Sequence, residues 1–218
     1  MRAAGPPRTP DPPDLPDELA ASGSPSADGL AEAELVDADL SALGLAGGAF
    51  EACRLTGVAA IGCDLSDSRW IDVALTGCNL ANARLRGGRL RRASLSECRL
   101  TGLSIAEGAL DDVSITGSQA DYADFGGARL DRVLLAGCDL SGSIWTGARL
   151  CDVEFVDCDL HEADLRETRF EAVALRGCRI DGLRGAERLG GVTMALDDVV
   201  AGATVFATAC GVTIAPEG

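Results

Sequence analysis

Residues 126–170 read GGARL DRVLL AGCDL SGSIW TGARL CDVEF VDCDL HEADL RETRF, an unbroken run of five-residue groups that each end on a large apolar residue. Outward from this stretch the same beat holds from Leu35 to Ile180, through Leu40, Phe50, Trp70, Leu95, Ile115, Phe125 and Phe155. Only Ala60 and Ala120 weaken it. Two residues before each ladder position sits a small or slim residue. Neither a helix nor an ordinary strand repeats in this way, because their apolar positions recur at about 3.6 and 2.0 residues. A strict period of five needs a coil whose sides are each five residues long.

A slower period closes the coil. In the small position Cys78, Cys98, Ser118, Cys138, Cys158 and Cys178 follow one another at intervals of twenty, and Val73, Ala93, Val113, Val133, Val153 and Val173 do the same. Four sides of five residues therefore make one turn, and residue n stacks on n+20. The result is an all-β solenoid in which each coil buries its inner face only against its neighbours.

The units TGCNL (76–80), ANARL (81–85), AGCDL (136–140), CDVEF (151–155), HEADL (161–165) and RETRF (166–170) resemble the pentapeptide-repeat family, whose unit is A-(D/N)-L-x-x. That resemblance implies a right-handed quadrilateral β-helix. The spacing predicts about 7.5 coils and, at ~4.8 Å per strand, a rod of roughly 36 Å.

The chain divides into three parts. Residues 1–29 hold seven of the eight prolines and bury little, which marks a disordered or extended tail. Residues 30–182 form the solenoid, free of proline and without an insertion. Glycines such as Gly57, Gly77, Gly102, Gly117, Gly137, Gly142 and Gly177 recur two residues after ladder positions and mark the corners. In residues 183–218 the register fails: an irregular coil, a helical run opened by Asp197 and Asp198 and ended by Gly211, and a short strand at VTI are expected. This module caps the open end of the solenoid or pairs with a twin through Val199, Val200, Ala203 and Phe206. A homodimer through this module is also what the fluoroquinolone-resistance branch of the family implies.

Formal net charge is −15, with 34 acidic residues against 19 bases, all of them Arg. Such a chain is repelled by nucleic acid and by anionic membranes. No apolar stretch approaches the ~20 residues of a membrane span, and the N-terminus lacks a signal-like apolar run, so a cytoplasmic location is expected. No metal or other cofactor is expected. The nine cysteines show no C-x-x-C spacing, and most occupy the small inward position, where a reduced thiol packs as a small hydrophobe. Cys151 and His161, the one nucleophile and base in reach of consideration, are half a coil apart and cannot form a dyad. An enzyme is not expected.

Two surface patterns remain. One side stacks Arg69, Arg89, Arg129, Arg149 and Arg169, with Asp72, Asp111, Asp131, Asp152 and Glu171 close enough in sequence to suggest a cross-coil ion-pair ladder. The other pattern is acidic, with Asp121, Asp139, Asp159 and Glu162 on one side and Asp124, Asp164 and Glu167 on the next. A solvated face is the ordinary explanation. The resemblance implies another, an acidic DNA mimic that docks in the DNA-binding saddle of DNA gyrase or a related type II topoisomerase and modulates it or protects it from quinolones. Between Ala31 and Ile180, 24 acids and 15 Arg leave −9. DNA carries one charge per ~1.7 Å, about twenty over this length, so any mimicry is partial. The alternative is a protein-interaction scaffold with an unrelated partner.

Overall fold

A computed structural model describes residues 6–21, 25 and 28–214. The chain forms one column of stacked parallel coils, a β-solenoid of about eight turns with a short helical end. In chain order the strands are β1 (Ala20–Ala21), β2 (Gly29–Ala31), β3 (Ala33–Val36), β4 (Ala49–Thr56), β5 (Arg69–Thr76), β6 (Arg89–Ser96), β7 (Ala109–Thr116), β8 (Arg129–Ala136), β9 (Arg149–Val156), β10 (Arg169–Arg176) and β11 (Thr193–Met194). From β4 to β10 each pairs in parallel with the next.

The register is the twenty-residue one that the spacing predicts. It runs from Gly29 on Ala49, through Trp70 on Leu90 and Leu130 on Leu150, to Asp164 on Arg184. Each long strand covers two sides of the coil, here called the first (ladder Phe50, Trp70 to Phe170) and the second (Leu55, Leu75 to Leu175). The third side (Leu40, Ala60 to Ile180) and the fourth (Leu45, Leu65 to Leu165) hold one bridge residue per coil.

Corners come every five residues, and every coil turns them with a backbone in the left-handed region. Gly57, Gly77 and Gly142 do so, but so do Asp67, Asp72, Asn82, Asp112, Asp152 and Glu162, with φ between 53° and 57°. Asp and Asn tolerate this region better than other side chains because they can hydrogen-bond locally. The corners therefore draw on Asp and Asn as well as on the glycines evident from spacing.

Inside, ladder residues and small residues alternate and are almost fully buried, from Leu35 at 0% exposure to Ile180 at 4%. Aromatic ladder residues stack through the column: Phe50 on Trp70 at 4.0 Å and Phe125 on Trp145 at 4.1 Å, with Phe155 edge-on to Trp145 at 5.6 Å. Each indole N–H needs a partner in this dry interior. It finds one in the small residue two positions earlier. Trp70 Nε1 donates to Ser68 Oγ and Trp145 Nε1 to Ser143 Oγ, both at 2.8 Å.

Both ends are covered. At the first coil β1 pairs with β3, Ala20 on Ala33. Upstream of β1, residues 6–16 form neither helix nor strand, and Arg8, Asp11 and Asp14 bond to the outside of the column. At the last coil β11 pairs with β10 one residue out of step, Ala174 on Thr193, so the final turn is short by one. A single 3₁₀ turn (Ala186–Arg188) precedes it. The helical run is split into α1 (Leu196–Ala201) and α2 (Ala203–Ala209) at Gly202. A Cβ at Gly202 would stand 2.6 Å from Ile180 Cδ1, so glycine lets the helices lie directly on the last ladder residue. Val212, Thr213 and Ile214, expected as a strand, form none; Val212 instead donates its backbone N–H to Ala207 O at 2.9 Å, closing the end of α2.

Replacing Ser143 with Ala is expected to cost ~1–3 kcal/mol, because it strands a buried indole N–H. Urea unfolding of Ser143→Ala against the wild type measures it.

Candidate functional site

The acidic third and fourth sides are built on a recurrent local device. The Asp or Asn just before each ladder residue accepts the backbone N–H two residues on: Asp39 from Ser41 (2.9 Å), Asp64 from Ser66 (3.1 Å), Asn79 from Ala81 (3.1 Å), Asp124 from Gly126 (2.8 Å), Asp139 from Ser141 (3.0 Å), Asp159 from His161 (2.9 Å) and Asp164 from Arg166 (3.1 Å). This is an Asx turn wrapped around the corner, and it explains the Asp/Asn preference of the repeat. Four of the acids read as docking residues, Asp124, Asp139, Asp159 and Asp164, thus hold the corner with one carboxylate oxygen.

They differ in what is left for a partner. Asp164 is buried and clamped by Arg166 (Nη2 to Oδ2 2.7 Å), whose guanidinium holds its carboxyl below the usual range. Asp159 pairs with Arg179 at 3.1 Å. Asp139 is exposed, and among the described residues its carboxylate accepts hydrogen bonds from Ser141 alone. Asp121 accepts from Thr101 Oγ1 at 2.7 Å, one coil below. Glu162 and Glu167 are exposed corner residues, Glu162 lying 3.7 Å from His161.

Between these acids stands a residue that sequence reasoning passed over. Tyr122 is 69% exposed, and Ile144, stacked on Asp124, is 42% exposed. The ring lies over Gly142, where a Cβ would approach within 2.7 Å of Tyr122 Cε1. An aromatic at a corner position otherwise filled by Ala, Gly, Asn or Glu is the signal that could have found it.

On the first side the expected ion-pair ladder is absent. Arg69, Arg89, Arg129, Arg149 and Arg169 stack in register and are exposed, and among the described residues none of them makes an ion pair. The acids pair instead with the base one coil above, since stacking at strand spacing brings n and n+20 together. Asp72 takes Arg92 (2.6 Å) and Asp112 takes Arg132 (2.7 Å). Arg132 also reaches Asp111 and Asp131. The bonds to Arg92 and Arg132 lower the pKa of Asp72 and Asp112.

Six cysteines are buried, Cys151 and Cys178 are half-buried, and Cys210 is exposed. The buried thiols hydrogen-bond backbone carbonyls, as Cys63 Sγ does to Leu43 O at 3.3 Å. Burial pushes Cys53 and Cys63 up; Cys98, sharing its proton with Cys78, and Cys158, sharing its own with Cys138 and Cys178, are pushed up because they are the donors of these thiol pairs. Cys151 lies on the first side beside Asp131 and Glu171, and burial raises it as well. His161 lies on the third, its Nδ1 3.0 Å from Asp181 O. The two are not brought together. No helix of the described residues is long and apolar enough to cross a membrane.

At the C-terminal end Val205, Phe206 and Ala209 pack on the column, while Val200 (66% exposed), Leu196 (76%), Val199 and Ala203 face outward. Of the four residues expected at a twin contact, Phe206 is a capping residue.

This geometry is that of a parallel β-solenoid built from five-residue sides with Asx-turned corners. Family comparison agrees. The model for a pentapeptide repeat region matches residues 68–145, and that for pentapeptide repeats in eight copies matches 134–171. Residues 68–171 of the chain are thus pentapeptide repeats. No curated protein matches the sequence. Solved structures similar to it include a trypsin-treated variant of QnrB1, a plasmid-mediated fluoroquinolone resistance protein (18% identity, 85% of this chain and 89% of that one, TM-score 0.44). Another is HetL, involved in heterocyst differentiation regulation in the cyanobacterium Nostoc (20% identity, 76% and 88%, TM-score 0.34).

The lowered carboxylates fix the acid response. Asp39, Asp64, Asp72, Asp112 and Asp164 all sit below the ordinary value of 3.8. Their contribution is complete above that value and lost as pH falls through the lower folded ones. The melting temperature is expected to stay level from pH 7 to 5 and fall below pH 4, read by circular dichroism.

Proposed function

We propose that the chain is a non-catalytic binding column whose third and fourth sides dock, as a partial DNA mimic, in the cationic DNA-binding saddle of DNA gyrase or a related type II topoisomerase. The observation that supports this is the axial array of carboxylates. Asp121, Asp124, Asp139, Asp159, Glu162 and Glu167 lie on walls whose twenty-residue register has no insertion from Gly29 to Arg184. An array at a fixed step of ~4.8 Å along the axis suits a surface that reads phosphates at regular spacing. Tyr122 and Ile144 would add apolar anchors among the charges, the residue type that carries interface energy. The resemblance of the repeats to the fluoroquinolone-resistance branch names the enzyme to test.

A second reading has its own support. The exposed Arg69–Arg169 row suits an anionic partner and favours a protein-interaction scaffold unrelated to topoisomerase.

Purified gyrase separates the two. Micromolar protein is expected to inhibit supercoiling or to protect it from a quinolone; no effect in either assay removes the topoisomerase reading. Asp139, Asp159 and Asp164 are poor choices for charge reversal because they hold corners. Glu162→Arg with Glu167→Arg is expected to weaken the effect at least tenfold with an unchanged melting temperature, and unchanged potency rejects this surface.

We also propose that the outward apolar residues Leu196, Val199 and Val200 meet a second copy across a two-fold axis. Light scattering is expected to show a dimer that Val200→Asp converts to a monomer. Phe206→Asp, by contrast, is expected to lower stability because it uncaps Ile180. A monomeric wild type refutes the contact.

A further inference from the structure

The corner between the first and second sides carries, coil after coil, Ala52, Asp72, Arg92, Asp112, Arg132, Asp152 and Ala172. Acid and base alternate, and each acid takes the base one coil above. The alternation breaks at Ala172, where Asp152 would need an arginine. Asp152 is 7% exposed, too buried to stand alone as an anion. Its guanidinium comes instead from Arg8, whose Nε lies 2.6 Å from Asp152 Oδ2.

Arg8 does not arrive alone. Asp11 donates its backbone N–H to Asp112 Oδ1 at 3.2 Å, and Asp14 donates its own to Asp72 Oδ1 at 2.9 Å. Three positions along the segment (8, 11, 14) thus match three positions down the column (152, 112, 72), and each of the two steps between them covers two coils. Two coils span ~9.6 Å at a strand spacing of ~4.8 Å. Three residues of polyproline II span ~9.3 Å, with three residues to the turn. The two repeats are commensurate.

The sequence of the segment fits the same turn. Pro7, Pro10, Pro13 and Pro16 recur every third residue, and the residue after each, Arg8, Asp11, Asp14 and Asp17, keeps the N–H that proline lacks. Exposure has the same period. Pro7, Pro10 and Pro13 are half-buried, while Pro6 and Pro12 are exposed. The pattern ends past Asp14, where Leu15 is half-buried and Pro16 exposed as the chain heads for β1.

We propose that this corner is a docking groove for polyproline II segments, and that its resident occupant is the chain's own residues 7–14, bound as a releasable strap. The strap runs antiparallel to the growth of the column. It is held by one guanidinium and by N–H groups presented once per turn, and its prolines meet the wall in the extended form they already favour. A preformed helix of this kind loses little entropy on docking. Release would uncover a cation-seeking pocket: Asp131, Cys151 and Asp152 offer ligand atoms within 4.8 Å of one another. Asp131 Oδ1 is shielded from solvent without a hydrogen-bond partner, and Arg8 Nη2 is 3.8 Å away. The vacated groove therefore selects an arginine-led segment like the one it lost.

Amide exchange by ¹⁵N NMR on the full chain tests the strap. The N–H groups of Asp11 and Asp14 are expected to exchange at least tenfold more slowly than in a free peptide of residues 6–18, while Thr9 exchanges at the peptide rate. Exchange of Asp11 and Asp14 at the free-peptide rate overturns the proposal. The groove itself is tested with the full-length triple variant Arg8→Ala, Asp11→Pro, Asp14→Pro, which removes the anchors but keeps the polyproline geometry. By fluorescence anisotropy, labelled 6–18 peptide is expected to bind the variant and not the wild type. The same peptide carrying Asp11→Pro and Asp14→Pro is expected to bind neither. Equal binding of the unmodified peptide to both proteins, or to neither, refutes the groove.

Discussion

The structure depends on one constraint, the stacking of residue n on n+20 through parallel backbone hydrogen bonds. Those bonds leave a coil no freedom in the length of its sides, because one extra residue would throw every later side chain off its wall. The interior must then be filled by a repeating pair, a long ladder residue and a slim one before it. Where the long residue is Trp, the slim one becomes Ser, as at Ser68 and Ser143, since the interior offers the indole no water. Composition follows geometry here: Cys, Val, Ala and Ser share the slim position because each is narrow.

The corners impose the second condition. Four left-handed residues per coil would be costly in random sequence, and the chain meets the cost in two ways. Glycine, Asp or Asn occupies many of the turning positions, and an Asp or Asn before the ladder residue wraps its carboxylate or amide around the corner. Acidity of the column is thus in part a by-product of turning. An acid such as Asp164, bound by a backbone N–H and by Arg166, belongs to the scaffold before it belongs to any interface.

Period and register were legible in the sequence because they repeat; what occurs once was not. The five-residue beat and the interval of twenty predict the pairing of Trp70 on Leu90 from spacing alone. The split of the terminal helix at Gly202 depends on contact with Ile180, which lies outside the helix pattern. The last coil is one residue short, and no local motif announces that. Tail residues 6–19 were read from composition, and composition is blind to whether a proline-rich segment has a wall whose repeat it matches. The arginine row was paired with acids nearby in sequence, whereas in a solenoid the nearest neighbour lies twenty residues away. On the acidic sides the residue types were visible, but which oxygens were already engaged was not.

Pairing on this column follows burial. Where the side chains are sheltered, as in the corner row of Asp72, Arg92, Asp112, Arg132 and Asp152, opposite charges alternate, and the one gap is filled from elsewhere in the chain. Where they are exposed, like charges stack: Arg69 lies on Arg89, and Arg129 on Arg149. Water and salt screen the second case and not the first, since a charge pair worth ~1 kcal/mol in water is worth several times that at a sheltered surface. Stacked like charges that cost the fold little are also the ones left uncompensated when a partner arrives. The sheltered rows therefore tie one coil to the next, and the exposed rows are the ones whose charges the fold leaves to solvent.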